Sequence, residues 1–453
     1  MHRRNFLSAS GIALTVASPL TWADDKKKKT REYSTPKPTP TPTPAPTPSA
    51  AKSRVIVIGG GMAGATVAKY LRLWGSGIAV TLIEREASYV SNIMSSLVLS
   101  GQRTMSSLTY NYSKLTSKYG VTVIRGDVTE IDTVGLQVKL ANGTILAADR
   151  IVIAPGIDFE DVPGLGTSTR MPHAWKAGPQ TTQLASQLAA LQPNQNVILT
   201  IPKAPYRCPP GPYERACLIG DWLKVKKPGS KLTVLDANAV IQAEADNFHK
   251  AFAMHGITYV PYAEIVTVDP APSVMKVTIR DTTPDANGVI KGDITDYFAS
   301  VVNLIPAQKA GKLIAIAKLN NSADGRFANV NHLTYESTAA AKIHVIGDAA
   351  ATGQPKAGHI ANQEAKVCAD AIVRAFAGLA PDPAPVTNSA CYSTITMTQA
   401  SWLTAVYQYD AKAIPGVMKL ATPPGVAASV GWNSENFKDM NTWFNALMAD
   451  SFA

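Results

Sequence analysis

The stretch from Arg54 to Glu84 leaves this chain few folds to choose from. Arg54-Val55-Ile56-Val57-Ile58 is a short apolar run suited to a buried parallel strand. It passes directly into Gly59-Gly60-Gly61-Met62-Ala63-Gly64, a match to G-x-G-x-x-G, and then into a helical stretch from Ala65 to Leu73. Gly59 permits the tight turn, Gly61 lets backbone approach a pyrophosphate, and Gly64 lets the helix pack on the strand. The unpaired N–H groups at the helix start, around Ala63, are donors for phosphate. A second strand, Ala79–Ile83, ends at Glu84, roughly 20 residues on, where a carboxylate accepts from adenosine ribose hydroxyls; Arg85 follows it into the same site. A glycine triplet alone is a weak signal. Strand, glycines, helix, strand and acid in register specify a dinucleotide-binding α/β unit.

Two later segments select the dinucleotide. Arg150-Ile151-Val152-Ile153-Ala154-Pro155-Gly156 is a strand closing on a Pro-Gly turn, and Lys342–Ile346 is a strand ending at Gly347-Asp348. This arrangement resembles the flavoproteins with two dinucleotide domains. There the first turn, here Ala154, Pro155 and Gly156, closes the initial FAD segment, and the acid matching Asp348 bonds the ribityl chain. The expected cofactor is therefore FAD. Lys356, ahead of the helical run beginning near Ile360, is a candidate cation for reduced flavin, with a surface lysine the alternative. Trp175 is a candidate neighbour of the cofactor or a plain core residue. His173, His344 and His359 show no metal-ligand spacing, and no metal is expected.

A second Rossmann-like unit begins at Asn196–Ile201 and continues at Lys231–Asp236. Between them, where a nicotinamide site needs glycines, the run Pro202–Pro212 carries five prolines and Cys208. Proline fixes φ and adds bulk, which disfavours close approach of backbone to a pyrophosphate. The lobe is expected to keep the architecture and to have lost NAD(P)H binding, so electrons enter from another donor.

The net charge of +10 invites a nucleic-acid reading, but more than half of it lies in residues 1–52. No basic stripe interleaved with aromatics remains in the body, which argues against a nucleic-acid partner. Residues 1–23 open with Arg3-Arg4 ahead of a modest apolar stretch, Ile12–Leu20, as a twin-arginine export signal does. That stretch is short and interrupted by Ser18 and Pro19, so no integral membrane segment is expected after cleavage, and an uncleaved anchor stays open. The predicted location is the periplasm. Residues 24–52, rich in Lys and Pro, read as a linker of polyproline II type. The four cysteines include no haem-attachment motif, so any haem sits on a partner chain.

From Ser53 onward the chain resembles the flavoprotein subunit of flavocytochrome c sulfide dehydrogenase. The resemblance rests on Pro172–Gly178, Arg207–Ala216 (Arg-Cys-Pro-Pro-Gly-Pro-Tyr-Glu-Arg-Ala), Asn303–Pro306, Ile346–Asp348 and Cys391-Tyr392-Ser393. It implies that Cys208 and Cys391 form a redox-active disulfide beside the flavin, with Glu214 near the same site. It also implies hydrosulfide or another small sulfur compound as substrate and a cytochrome c as electron acceptor. Glu214 reads as a proton carrier, as a salt-bridge partner of Arg215, or as a helix-start carboxylate. A purely structural disulfide is the alternative for the cysteine pair. Cys217 and Cys368, in apolar helical contexts, read as buried free thiols. Best-known members bind FAD through a cysteine thioether, but the matching stretch Tyr89–Met94, including Asn92, has none. The expected attachment is non-covalent.

The expected fold is α/β, with two Rossmann-like three-layer domains. The FAD domain is split between 53–170 and 298–385, and the second domain occupies 171–297. Residues 386–453 form a C-terminal domain that covers the flavin and faces a partner. Two rival functions remain: a sulfide:quinone oxidoreductase, for which the tail Asn441–Phe452 is short and only mildly amphipathic, and a non-catalytic flavin-bearing subunit that binds a cytochrome.

Overall fold

The computed structural model describes residues 53–453 except 272, 423 and 424, so the twin-arginine stretch 1–23 and the linker 24–52 lie outside the described residues. The opening strand, Ser53–Ile58, sits at the centre of a five-stranded parallel sheet. Across that sheet run Ile343–Val345, Arg150–Ile153, Ser53–Ile58, Ile78–Glu84 and Thr122–Arg125. These strands are short, apolar and buried, as parallel strands covered on both faces must be. Val57, Leu82 and Val152 are fully shielded. Helices Met62–Trp74 and Gly358–Phe376 pack against one another beside it. The fourth and fifth strands in chain order are almost 200 residues apart in sequence, which is why the domain is split.

Gly64 shows how tightly the first helix meets the first strand. A Cβ at this position would stand 1.7 Å from the Gly59 carbonyl oxygen. Only a residue without a side chain allows that approach.

The second lobe holds a four-stranded parallel sheet in the order Thr258–Val260, Leu232–Asp236, Val197–Ile201, Val301–Leu304. This corrects the expected boundary at residue 297. Val301–Leu304 pairs with Val197–Ile201, so the lobe reaches past it before the chain returns to the FAD domain. The end of the second strand has also been put to another use. Asp236 is fully buried and accepts hydrogen bonds from the hydroxyls of Tyr213 (2.7 Å) and Tyr259 (2.9 Å). It also accepts from the backbone N–H (2.9 Å) and side-chain amide (2.7 Å) of Asn238. The acid that would meet a nicotinamide cofactor's ribose is saturated by the protein itself.

The C-terminal segment pairs Val386–Thr394 with Ala400–Asp410 in an antiparallel ribbon and ends in the helix Ser434–Phe452. That helix is longer than the tail expected from sequence. It starts where Asn433 caps it, its side-chain oxygen accepting the Asn436 N–H at 2.7 Å. Phe444, Met448 and Phe452 are buried, and Phe452 stacks on Tyr89 at 5.0 Å between ring centroids. Asp450 ties the end down, accepting from Tyr70 (2.6 Å) and Asn362 (2.7 Å) and pairing with Lys366 (2.8 Å). The helix is an internal clamp on the FAD domain. Among the described residues no helix is long and apolar enough to cross a membrane.

Candidate flavin and sulfur site

The three lobes meet around a cavity of about 360 Å³. The fingerprint residues Gly59, Gly61 and Ala63 line it, as do Glu84 and Arg85 at the end of the second strand. So do the turn Ala154-Pro155-Gly156, the pair Gly347-Asp348, and Trp175 from the second lobe. Cys208, Glu214 and Cys391 open onto the same space. Gly64 lies behind the lining, where its contact with Gly59 makes it a packing residue.

Lys356 corrects the expectation of a flavin-facing cation, and it is not a surface lysine either. It is 9% exposed, and its ammonium donates to the carbonyls of Asp348 and Ala350, both at 2.9 Å. It also lies 3.8 Å from the centroid of the Phe327 ring. With its donors spent on backbone, it holds the loop that presents Asp348 rather than meeting the cofactor.

Cys208 stands at a turn that the surrounding proline-rich sequence makes rigid. Its φ is +59°, in the left-handed region that non-glycine residues rarely enter, and such strain persists only when neighbours impose it. Here its N–H donates to the Lys356 carbonyl at 2.7 Å and its C=O accepts from Gly211 at 2.8 Å. Gly211 opens the helix Gly211–Lys226, and a Cβ there would lie 2.7 Å from the Cys208 sulfur. Cys391 arrives from the other direction on the strand Val386–Thr394, its sulfur 3.9 Å from the Ser389 hydroxyl. All four cysteines are unbonded in this structure, so the pair is present as two thiols. Burial pushes the Cys208 thiol up, and the nearby Cys391 sulfur and Glu214 carboxyl add to the effect. Burial likewise pushes Cys391 up to about 12. A thiolate formed here is destabilised, which makes it a ready donor of electrons and a poor keeper of charge.

Glu214 sits in the first turn of the same helix. Burial raises its carboxyl to about 7, against the Thr394 hydroxyl, which donates to Oε1 at 2.8 Å. It does not pair with Arg215 as one reading expected. Arg215, 2% exposed, spends its guanidinium on the carbonyls of His173 (3.2 Å) and Ala174 (2.9 Å) and on the side chains of Ser96 (3.2 Å) and Asn303 (3.1 Å). It also lies against the Trp175 ring at 4.6 Å. A carboxyl that titrates near neutral pH is suited to both taking and giving a proton.

Several lining residues escaped the sequence reading. Arg207 approaches Asp348 at 4.0 Å and opposes the upward shift that burial imposes on that acid. Asn92, noted in sequence only for not being a cysteine, accepts the Ala177 N–H at 2.8 Å and joins the two lobes. His359 accepts the Ala390 N–H at 2.9 Å and so braces the strand that carries Cys391. Trp443 comes from the C-terminal helix. Each depends on a contact between segments remote in the chain, which leaves no local pattern to find. Beneath Gly347, Glu364 accepts its N–H at 2.7 Å, and burial lifts that carboxyl to about 8.

The lining fits FAD. Gly61 provides no side-chain cap to the helix Met62–Trp74, so the N–H groups of that helix start remain available for a pyrophosphate. A Cβ on Gly61 would find only Tyr89 at 3.9 Å, and one on Gly156 nothing within 4 Å. The cradle is thus open where backbone must approach a ligand. The indole N–H of Trp175 is buried at the cavity wall with no partner in the protein.

Comparison with known proteins gives the same assignment. Residues 181–306 match the family model for the central part of the sulfide dehydrogenase [flavocytochrome c] flavoprotein chain. Residues 53–198 match the pyridine nucleotide-disulphide oxidoreductase model. The chain is 50% identical over 38 residues, 8% of its length and 79% of the relative's, to the flavoprotein chain of that sulfide dehydrogenase from Chlorobaculum thiosulfatiphilum. Among solved structures, the sulfide:quinone oxidoreductase of Aquifex aeolicus aligns with a TM-score of 0.71 at 18% identity, covering 88% of this chain and 91% of that one. A NAD-dependent persulfide reductase from A. fulgidus aligns at 0.59 and 16%, covering 88% and 77%. At these identities the structural matches establish the fold alone, an α/β Rossmann-type architecture. With the site geometry and the sequence matches together, the chain belongs to the family of flavocytochrome c sulfide dehydrogenase flavoprotein chains.

Proposed function

We propose that this chain is a FAD-dependent sulfide dehydrogenase that oxidises hydrosulfide at the Cys208–Cys391 pair and passes the electrons to a cytochrome c, whose haem is on a partner chain. The observation that carries this reading is that Cys208, Cys391 and Glu214, from two remote segments, open onto the cavity lined by the dinucleotide fingerprint. In the oxidised pair, hydrosulfide attacks one sulfur of the disulfide. A bond forms to the incoming sulfur and the bond between the cysteines breaks, leaving a persulfide and a thiolate. A second hydrosulfide takes the outer sulfur away as hydrodisulfide. Two electrons have then moved from sulfide sulfur into the pair, and the proton given up as hydrodisulfide forms ends on one of the two cysteine sulfurs, whose thiolates burial disfavours. Glu214, with its near-neutral carboxyl, carries that proton between the departing sulfur and the cysteine. FAD, held along the cradle lined by Gly59, Gly61, Glu84 and Asp348, would supply the two-electron oxidant for this pair.

The experiment is anaerobic addition of sulfide to FAD-loaded full-length protein. The expected result is loss of the flavin's visible absorbance, abolished in Cys208→Ser and Cys391→Ser. Reoxidation by soluble cytochrome c rather than by a short-chain quinone identifies the acceptor class. A flavin that stays oxidised in the native protein overturns the reading and leaves a flavin-bearing subunit without sulfide chemistry.

Two further parts of the proposal rest on sequence. Export to the periplasm by the twin-arginine route is supported by Arg3-Arg4 and the apolar stretch behind them. Non-covalent FAD is supported by Asn92 at the place where best-known members carry the linking cysteine; acid precipitation releasing all flavin to the supernatant is the expected outcome.

A further inference from the structure

The strand that delivers Cys391 ends in two consecutive hydroxyls, and each donates to a carboxylate. Thr394 donates to Glu214 Oε1 at 2.8 Å, and Ser393 donates to Glu244 Oε2 at 2.7 Å. Glu244 comes from neither cysteine's segment. It immediately precedes the helix Ala245–His255 and is held in the left-handed region, with φ +50°. That is an unfavoured backbone for glutamate, and a neighbouring structure must impose it. Its second oxygen, Oε1, is buried with no hydrogen-bond partner. Among the described residues no Lys, Arg or His forms an ion pair with it. A strained, half-satisfied carboxylate behind the redox pair is a costly arrangement with no packing rationale of its own.

We infer that Glu244 is a positioning residue of the sulfur site, anchoring the Ser393–Thr394 strand end whose Thr394 hydroxyl binds Glu214. The inference rests on the reading of Glu214 as the group that handles the proton. The physical basis is that two carboxylates sharing a poorly solvated region cannot both ionise cheaply. The groups facing Glu214 are Arg215 and Cys217 on its own helix, Arg207 and Cys208 on the preceding turn, Cys391 on the strand, and Glu244. Facing Glu244 are Ser393 and Ser401 from the ribbon and Asn247 from its own helix. Among the acids, Glu244 is the one whose field raises Glu214, in opposition to Arg215. When ionised, Glu244 also raises Cys391 and Cys217, while burial raises the Glu244 carboxyl itself.

The test is an infrared titration of the Glu214 carboxyl in FAD-loaded full-length protein, with Glu214→Gln identifying the band. In Glu244→Gln the Glu214 midpoint is expected to fall by on the order of half a pH unit, the size of one carboxylate's field in a partly solvated interior. Glu244→Asp, which keeps the charge, should titrate closer to the parent. Ser393→Ala removes the hydroxyl that donates to Glu244 at 2.7 Å, moves Glu244 toward the neutral acid, and should lower the Glu214 midpoint in the same direction. It therefore serves if Glu244→Gln does not fold. An unchanged Glu214 midpoint in the folded variants overturns the inference. Because this readout needs no turnover, it is separable from the fate of the sulfide reaction. Where sulfide bleaches the flavin, the low-pH limb of the bleaching rate should move with the infrared midpoint.

Discussion

Glu214→Gln is expected to remove the proton carrier of the sulfur site and yet to make the folded protein more stable, in a way that depends on pH. In the unfolded chain the carboxyl loses its proton near its ordinary value of 4.5, whereas in the fold burial delays this to about 7. Between those values the folded state holds a proton that the unfolded state has given up. Its contribution to stability is therefore full below 4.5 and is lost as pH rises through 7. At about 1.4 kcal/mol per unit, the loss above neutrality is at most roughly 3 to 4 kcal/mol, an upper bound because the carboxyl borders a cavity. Glutamine has no proton to lose and occupies nearly the same volume, so Thr394 keeps a partner. The assay is thermal unfolding of FAD-loaded parent and variant across this range, comparing midpoints rather than a single free energy in a chain of several lobes. The two midpoints should coincide at about pH 4.5 and separate by a few degrees at about pH 8, with the variant higher. Parallel curves, or a variant that is the less stable at high pH, would refute a carboxyl held protonated by burial.

Gly64→Ala places a methyl group 1.7 Å from the Gly59 oxygen, so strand and helix must part; a loss of ~2 kcal/mol or more and a reduced flavin-to-protein absorbance ratio are expected. Lys356→Met leaves two carbonyls and the buried Asp348 and Glu364 without their ammonium; denaturation should show roughly 3 kcal/mol of lost stability. Trp175→Phe removes the unpartnered indole N–H while keeping a ring against Arg215. Equilibrium dialysis should therefore show FAD bound roughly tenfold more weakly, with the apoprotein no less stable. NADH and NADPH should leave the flavin oxidised, since Tyr213, Tyr259 and Asn238 already occupy Asp236.

The α/β class was legible because its signals are local. A buried parallel strand must be apolar throughout, and a glycine that admits a helix to within contact of a strand has no substitute. Both requirements act over a few residues, so Ser53–Glu84 and the turn at Gly347-Asp348 declared themselves. The second lobe's loss of its nicotinamide glycines was legible for the same reason. Its C-terminal limit was not, because Val301–Leu304 reads as a generic buried strand and only pairing assigns it to a sheet. Lys356 was misread because a lysine near a helix start looks alike in sequence whether it faces a ligand or two carbonyls.

The amino-acid sequence on its own determined a dinucleotide cradle, a second lobe filled with proline, and two cysteines in distinctive settings, since each is a matter of residue type and short-range spacing. Tertiary structure alone decided which side chains share the cavity, that Arg215 serves the interior rather than Glu214, and that Glu244 stands behind the strand of Cys391. Those outcomes turn on burial and on electric fields, which act through space between segments the chain order keeps far apart.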